Sequence, residues 1–191
     1  MKIITDIDEV LFNSVKKHVA ELAKAGEVLG WQSMPTYEQV CSLGGTHKAY
    51  AGYPEYEALN GQMTANYEFN QGLEIIEGAK EGLTALQNKL QFYLTTRPQT
   101  VEEITKEELK RAGFPEKPVV CRPENIDRRQ TTDWKKTILE QQGDDIVMID
   151  DSVSLHEALK GTPVQSILFA GPITPRGNGE MSWEQIIGKL S

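Results

Sequence analysis

Cysteine is scarce in this chain. Cys41 and Cys121 are the only two among 191 residues, and neither has a neighbour at metal-ligand spacing. A disulfide framework and a thiolate metal site are both excluded, and a reduced, cytoplasmic setting is expected. Long apolar runs are also missing: none approaches the roughly 20 residues of a membrane span. Aspartates interrupt the apolar run at the N-terminus, so no signal-peptide pattern is expected there. An excess of basic residues is lacking as well. Lys and Arg number 20 against 28 Asp and Glu, a net charge of -8. That balance argues against a nucleic-acid polymer as partner, because phosphate backbones need a basic surface. A small anionic molecule is still admissible if a metal or a local cation receives it. Internal repeats, low-complexity tracts and Pro/Gly linkers are not found. With 39% apolar and 25% charged residues, the chain is an ordinary globular protein, long enough for one good core and a small second module. Nothing in its composition fixes an oligomeric state.

What is present alternates. Strand-like runs occupy residues 2–6, 91–95, 118–121, 145–149 and 165–169. Helical patterns lie between most of them. Leu83, Leu86 and Leu90 share one face; Thr100 and Glu103 form a capping-box sequence before a helix ending at Gly113. Further helices are expected from about Thr132 to Gly143, after Ser152 to Gly161, and from Ser182, where Gln185 completes a second capping box. Strands alternating with helices predict a parallel sheet covered on both faces, a three-layer α/β architecture. The first crossover breaks this rhythm, because it is far longer than one helix needs. Within it Val15, Val19, Leu22, Gly26 and Leu29 mark an amphipathic helix opened by Asn13 or Ser14. The expected division is a core of residues 1–13 and 75–191 and a helical cap of residues 14–74, inserted after the first strand.

The first strand ends in Asp6-Ile-Asp8-Glu9-Val10, and a later one in Asp150-Asp151-Ser152. Residues i and i+2 of an extended segment face the same side, so Asp6 and Asp8 would meet. Their repulsion is costly unless a cation or a shared proton relieves it. Carboxyl ends of strands are where open α/β sheets build their sites. Two acidic strand ends therefore suggest one magnesium site. Either pair alone would more often be a turn or a helix cap; their joint occurrence with Thr95 and a lysine, in order, favours the site.

The ordered set resembles the haloacid dehalogenase superfamily. Asp6-Ile-Asp8-Glu-Val10 matches its first motif, Phe92-Tyr-Leu-Thr95-Thr-Arg97-Pro98 its second, Trp134-Lys135-Lys136 its third, and Asp150-Asp151 its fourth. The resemblance covers the core and implies a Rossmann-like parallel sheet with a cap. It also implies magnesium-dependent hydrolysis of a small phosphomonoester through an aspartyl-phosphate. Asp6 would be the nucleophile, and Asp8 the general acid and then base. Thr95 would bond a phosphoryl oxygen, and a lysine would balance the charge. Thr96 and Arg97 would touch substrate. Asp6, Asp150, Asp151 and the backbone carbonyl of Asp8 would hold Mg2+. Lys135 borders the inward face defined by Trp134 and Ile138 while Lys136 points nearly opposite; Lys135 is the candidate, with Lys110 or Arg111 as alternatives. Asp8 also resembles the phosphatase version of the family, since its members that cleave carbon–halogen bonds lack an aspartate there. Glu9 departs from the glycine common at that place, which puts a tight turn in doubt and adds a carboxylate near the mouth.

Other residues leave alternatives open. Arg97 would either face a substrate anion or pair with Glu102 or Glu103. Trp31, Tyr37, Tyr50, Tyr53, Tyr56, Tyr67 and Phe69 would either pack the cap or stack on an aglycone. His47 and Lys48 follow the flexible Gly44-Gly45. His18 and His156 are expected to face solvent, and Cys121 to be buried. The partner expected is a small phosphorylated metabolite; nucleoside monophosphates, sugar phosphates and phosphoglycolate are candidate classes. Two rival readings are a phosphotransferase using the same intermediate and a non-catalytic phosphate- or metal-binding module. Response-regulator receivers gather similar residues, but in another order and without a cap.

Overall fold

A computed structural model describes residues 1–66 and 68–191; Tyr67 lies outside the described residues. Five parallel strands form one sheet in the order β5-β4-β1-β6-β7. They are β1 (Lys2–Thr5), β4 (Leu90–Pro98), β5 (Val119–Arg122), β6 (Ile146–Asp150) and β7 (Gln165–Leu168). These are apolar runs because both faces are covered. Successive side chains alternate sides. Ile3, Tyr93, Val147 and Ile149 pack on one face with Leu83, Leu86, Leu109 and Ile186. Ile4, Phe92, Ile146 and Met148 pack on the other with Leu139, Leu155 and Leu159. Helices α5 (Ala79–Leu86), α6 (Glu102–Ala112) and α9 (Trp183–Leu190) thus cover the first face, and α7 (Thr131–Glu140) and α8 (Val153–Ala158) the second. The result is the three-layer Rossmann-like fold.

From β1 the chain builds outward through β4 and β5, then returns to the other side of β1 for β6 and β7. The reversal is a topological switch point, where such sheets place their ligands. Asp6 follows β1, Asp150 ends β6, and Thr95 lies in β4 where its register with β5 shifts.

Between residues 13 and 74 the described residues form four helices: α1 (Ser14–Leu29), α2 (Tyr37–Leu43), α3 (Thr46–Ala49) and α4 (Tyr56–Thr64). A short antiparallel pair, β2 (Phe12–Asn13) with β3 (Glu74–Ile75), brings the two ends of this segment together. Asn13 caps α1, accepting from Lys16 N–H. Val15, Val19 and Leu22 are buried against Val40, Tyr50 and Tyr56 in a separate small core. Leu29, expected on the same face, is exposed at 46%.

The expected capping box at Thr100 does not form. Residues Gln99–Val101 make a 3-10 turn, and α6 begins at Glu102 with no side-chain cap. Thr100 is thereby already wound, whereas a capping residue needs an extended backbone. At Ser182 the backbone is extended, and the box with Gln185 is complete.

Candidate active site

The two acidic strand ends meet. Asp6, Asp150 and Asp151 each offer a carboxylate oxygen, all within 4.8 Å of one another. Lys135, on α7, reaches into this group. Its Nζ donates to Asp6 Oδ2 at 2.6 Å and to Asp150 Oδ2 at 2.8 Å. Lys135 is 3% exposed, whereas Lys136 lies at the surface near Glu140. The neighbouring alternatives turn elsewhere: Lys110 toward Glu116, Arg111 to Glu108.

The remaining oxygens of Asp6 and Asp150 are held by the backbone. Asp6 Oδ1 accepts from Ile7 N–H at 2.7 Å, and Asp150 Oδ1 from Ser152 N–H at 2.8 Å. Ser152 also caps α8. Asp151 has no such hydrogen bond to its carboxylate among the described residues. Three carboxylates against one ammonium leave an acidic excess. Burial, then Asp150 and Asp6, raises the Asp151 carboxyl well above the usual range. Burial likewise raises Asp6, against the pull of Lys135. Burial alone would depress Lys135, but Asp150 and Asp6 outweigh it and hold the ammonium charged. All donors are hard carboxylate oxygens, without His or Cys among them. Such a set fits magnesium.

Asp8 stands beside the cluster in another arrangement. Arg97 grips its carboxylate with both prongs, Nη2 to Oδ1 at 2.7 Å and Nε to Oδ2 at 2.9 Å. This bidentate geometry is the strong form of the pair. Arg97 Nη1 donates to Thr105 Oγ1 at 3.3 Å, which fixes the guanidinium from behind. Burial would raise the Asp8 carboxyl, but Arg97 overrides it and lowers it. Of the two expected settings of Arg97, the pairing with Glu102 or Glu103 is not found: those acids pair with Lys106 instead, and the guanidinium pairs with Asp8 on the wall of a cavity. The sequence carries no local signal for a contact spanning 89 positions.

Thr95 is fully buried, its Oγ1 accepting from Arg97 N–H at 3.2 Å. Thr96 instead lines the cavity over the acidic cluster, a space of about 210 Å³ that Thr131, Thr132 and Ile173 also border. Glu9 adopts the left-handed backbone of a tight turn, φ 61°, without glycine. Glu9 borders the acidic cavity, and its carboxylate is held by α1: Oε1 accepts from Ser14 Oγ at 2.6 Å and from Val15 N–H at 2.8 Å. Burial pushes this carboxyl up to about 7, against those hydrogen bonds.

A second cavity of about 280 Å³ shares Asp8, Thr96 and Thr131 with the first and opens between the sheet and helices α1, α3 and α4. His18, expected at the surface, is 8% exposed and lies on its wall. Phe69 packs against it with the ring planes tilted by 54° and the ring centres 4.8 Å apart. His47 borders the same space, while Lys48 is exposed outside it. Trp31, Tyr50, Tyr53 and Tyr56 pack on one another instead, with centroids 5.1–6.0 Å apart.

Solved structures share this architecture. A haloacid dehalogenase-like family hydrolase from Streptococcus pneumoniae superimposes with a TM-score of 0.71 at 10% identity, over 100% of this chain and 98% of its own. A candidate phosphoglycolate phosphatase from Lactobacillus plantarum gives 0.67 at 14% identity, over 98% and 97%. An L-2-haloacid dehalogenase gives 0.56 at 12% identity, over 100% and 99%. No protein-family profile and no curated sequence matches the chain. The fold is that of the haloacid dehalogenase superfamily, whose members named here include both dehalogenases and phosphatases.

Proposed function

We propose that this protein hydrolyses a small phosphomonoester with magnesium, through an aspartyl-phosphate on Asp6. The observation that carries the reading is the cluster of buried Asp6 and Asp150, bridged by Lys135, with half-buried Asp151 and Asp8 beside them. Asp6, Asp150, Asp151 and the backbone carbonyl of Asp8 would hold the metal, which supplies charge neutralisation for the phosphoryl group.

Asp6 attacks phosphorus, and the ester P–O bond breaks as the leaving oxygen takes a proton from Asp8, whose carboxylate must first take that proton up from solvent as it leaves its Arg97 pair. Asp8 then removes a proton from the water that attacks the aspartyl-phosphate, restoring Asp6 and freeing phosphate. Arg97 keeps the Asp8 carboxylate aimed. Lys135 is a fixed positive charge beside the developing one, and Thr96 is the hydroxyl that borders the reaction space. Asp8 favours ester hydrolysis over carbon–halogen cleavage, because a departing halide needs no proton while an alkoxide does. Residues 14–74 act as a cap that closes over the site and selects the leaving group, excluding water beneath it.

The test is phosphate release from a panel of phosphorylated metabolites and from p-nitrophenyl phosphate, with magnesium and with chelator. Asp6→Asn should abolish turnover while leaving the thermal melt intact. Turnover within tenfold of wild type would remove Asp6 from the role. Adding an acceptor alcohol separates hydrolysis from phosphotransfer: less free phosphate per ester cleaved marks a transferase. Absence of turnover on every ester marks a binding module.

A further inference from the structure

The larger cavity has a charge that no ion pair among the described residues neutralises. Arg128 stands on its wall, in the 3-10 turn Arg128–Gln130 that leads into α7. Among the described residues its one hydrogen bond is Nη2 to Thr64 Oγ1, at the end of α4. No carboxylate lies within ion-pair distance among the described residues. The acids nearest to it are engaged elsewhere: Glu57 with His47, and Asp127 with Arg129 N–H. The other charges facing the space cancel, because Asp8 and Arg97 form their own pair. In a chain of net charge -8, a half-buried arginine without an acid is an expensive placement.

Two further groups of the same cavity are poorly satisfied. His18 Nε2 and Asn60 Oδ1 are buried without a well-formed hydrogen bond, in side chains 8% and 2% exposed that lie close enough to act on each other. Native proteins leave few such atoms unsatisfied. A ligand that fills the cavity would satisfy both. At about 280 Å³ the space is at the small end of ligand pockets, so it suits a metabolite and not a polymer. Because it shares Asp8, Thr96 and Thr131 with the acidic cavity, whatever fills it adjoins the reacting phosphorus.

We infer that this cavity is a second-anion subsite. It takes the leaving-group half of a small phosphomonoester that bears a second negative group, a carboxylate or a second phosphate, on Arg128, with hydroxyls of that half on His18 and Asn60. This rests on the phosphatase reading above and narrows its substrate class. Arg128 is then a specificity residue that tells acidic esters from neutral ones.

The experiment compares three esters: glycerol 3-phosphate, 3-phosphoglycerate and propane-1,3-diol bisphosphate. In the wild type, kcat/KM for at least one acidic ester should exceed that for glycerol 3-phosphate by tenfold or more, and which one tells carboxylate from phosphate. In Arg128→Gln that ratio should fall to near one; Arg128→Lys should retain part of it. Thr64→Val removes the other side of the Arg128 contact but keeps the charge, so the ratio should persist. A wild-type ratio near one overturns the inference. So does an equal loss on all three esters in Arg128→Gln, or a ratio lost in Thr64→Val as fully as in Arg128→Gln; both would make the contact a structural latch. Should no ester turn over, the phosphatase reading fails, and calorimetric titration decides the subsite. Tighter binding of 3-phosphoglycerate than of glycerol 3-phosphate, lost in Arg128→Gln, supports it; equal binding overturns it.

Discussion

Single side chains here carry assignments that their sequence neighbours could not announce. Glu9 occupies a left-handed position usually given to glycine, and its carboxylate compensates by capping the start of α1. His18 shows the opposite economy. It is buried beside Arg128, and burial first, then that charge, pushes the imidazole down to about 4. Unfolded, it would titrate near 6.5. A group depressed in the folded state contributes stability above its unfolded pKa, and loses it as pH falls through the folded one. His18 should therefore cost the protein on the order of 3 kcal/mol between pH 6.5 and 4. Carboxylates titrate in the same range, so the measurement is a difference: urea melts of wild type and His18→Gln from pH 4 to 8. The gap between the two should move toward the variant as pH falls. Parallel curves would show that His18 is already accommodated when charged.

At the scale of elements, legibility followed burial. The five sheet strands are short apolar runs bounded by turns, and all were read within two residues of their edges, except that β4 runs on to Pro98. Parallel strands buried on both faces leave little else for such runs to be. The Asp6, Asp8, Asp150 and Lys135 positions were equally legible, because strand ends and helix faces fix them. Thr96, expected against substrate, does border the cavity; the full burial of Thr95 beside it is not legible, since it depends on the backbone path at the end of β4. The Arg97–Asp8 pair, the Arg128 wall and the burial of His18 are contacts between distant segments, on which local periodicity is silent. One packing contact of this kind sets a test. Gly82 on α5 lies under the Trp183 ring of α9, and a Cβ there would meet Trp183 Cε3 at 2.3 Å. Trp183 cannot retreat freely, because its Nε1 donates to Val10 O at 3.0 Å. Helix propensity favours alanine over glycine by about 1 kcal/mol, but overpacking a rigid ring costs about 1–3 kcal/mol. Gly82→Ala should lower stability in chemical denaturation, while Gly61→Ala on α4, with open space around its Cβ, should raise it or leave it level. Stabilisation at Gly82 would mean that α5 and α9 slide apart at little cost.

For the whole molecule, the switch point concentrates unfavourable charge at the centre of the sheet, and the fold tolerates it by other means. Asp6 and Asp150 are each satisfied twice, by Lys135 and by a backbone N–H. Asp151 is the carboxylate without such support, so it is the natural place where a cation couples to global stability. Magnesium that binds only the folded state should stabilise it by about 2.7 kcal/mol at one hundred times its dissociation constant. For a chain of this size that is a rise of roughly 5–10 °C in melting temperature. Asp151→Asn keeps the side-chain volume and leaves the Lys135 network untouched. It should abolish most of the magnesium-induced rise, and in chelator it should melt at or above the wild type, because a buried like charge has been removed. Lys135→Met should do the reverse, lowering the melt by an amount set by the about 3–5 kcal/mol cost of breaking a buried ion pair, with magnesium recovering part of it. Calcium in place of magnesium serves as a control for general ionic stabilisation. If Asp151→Asn retains the full magnesium shift, the three carboxylates do not share one metal, and the acidic strand ends are held together by Lys135 alone.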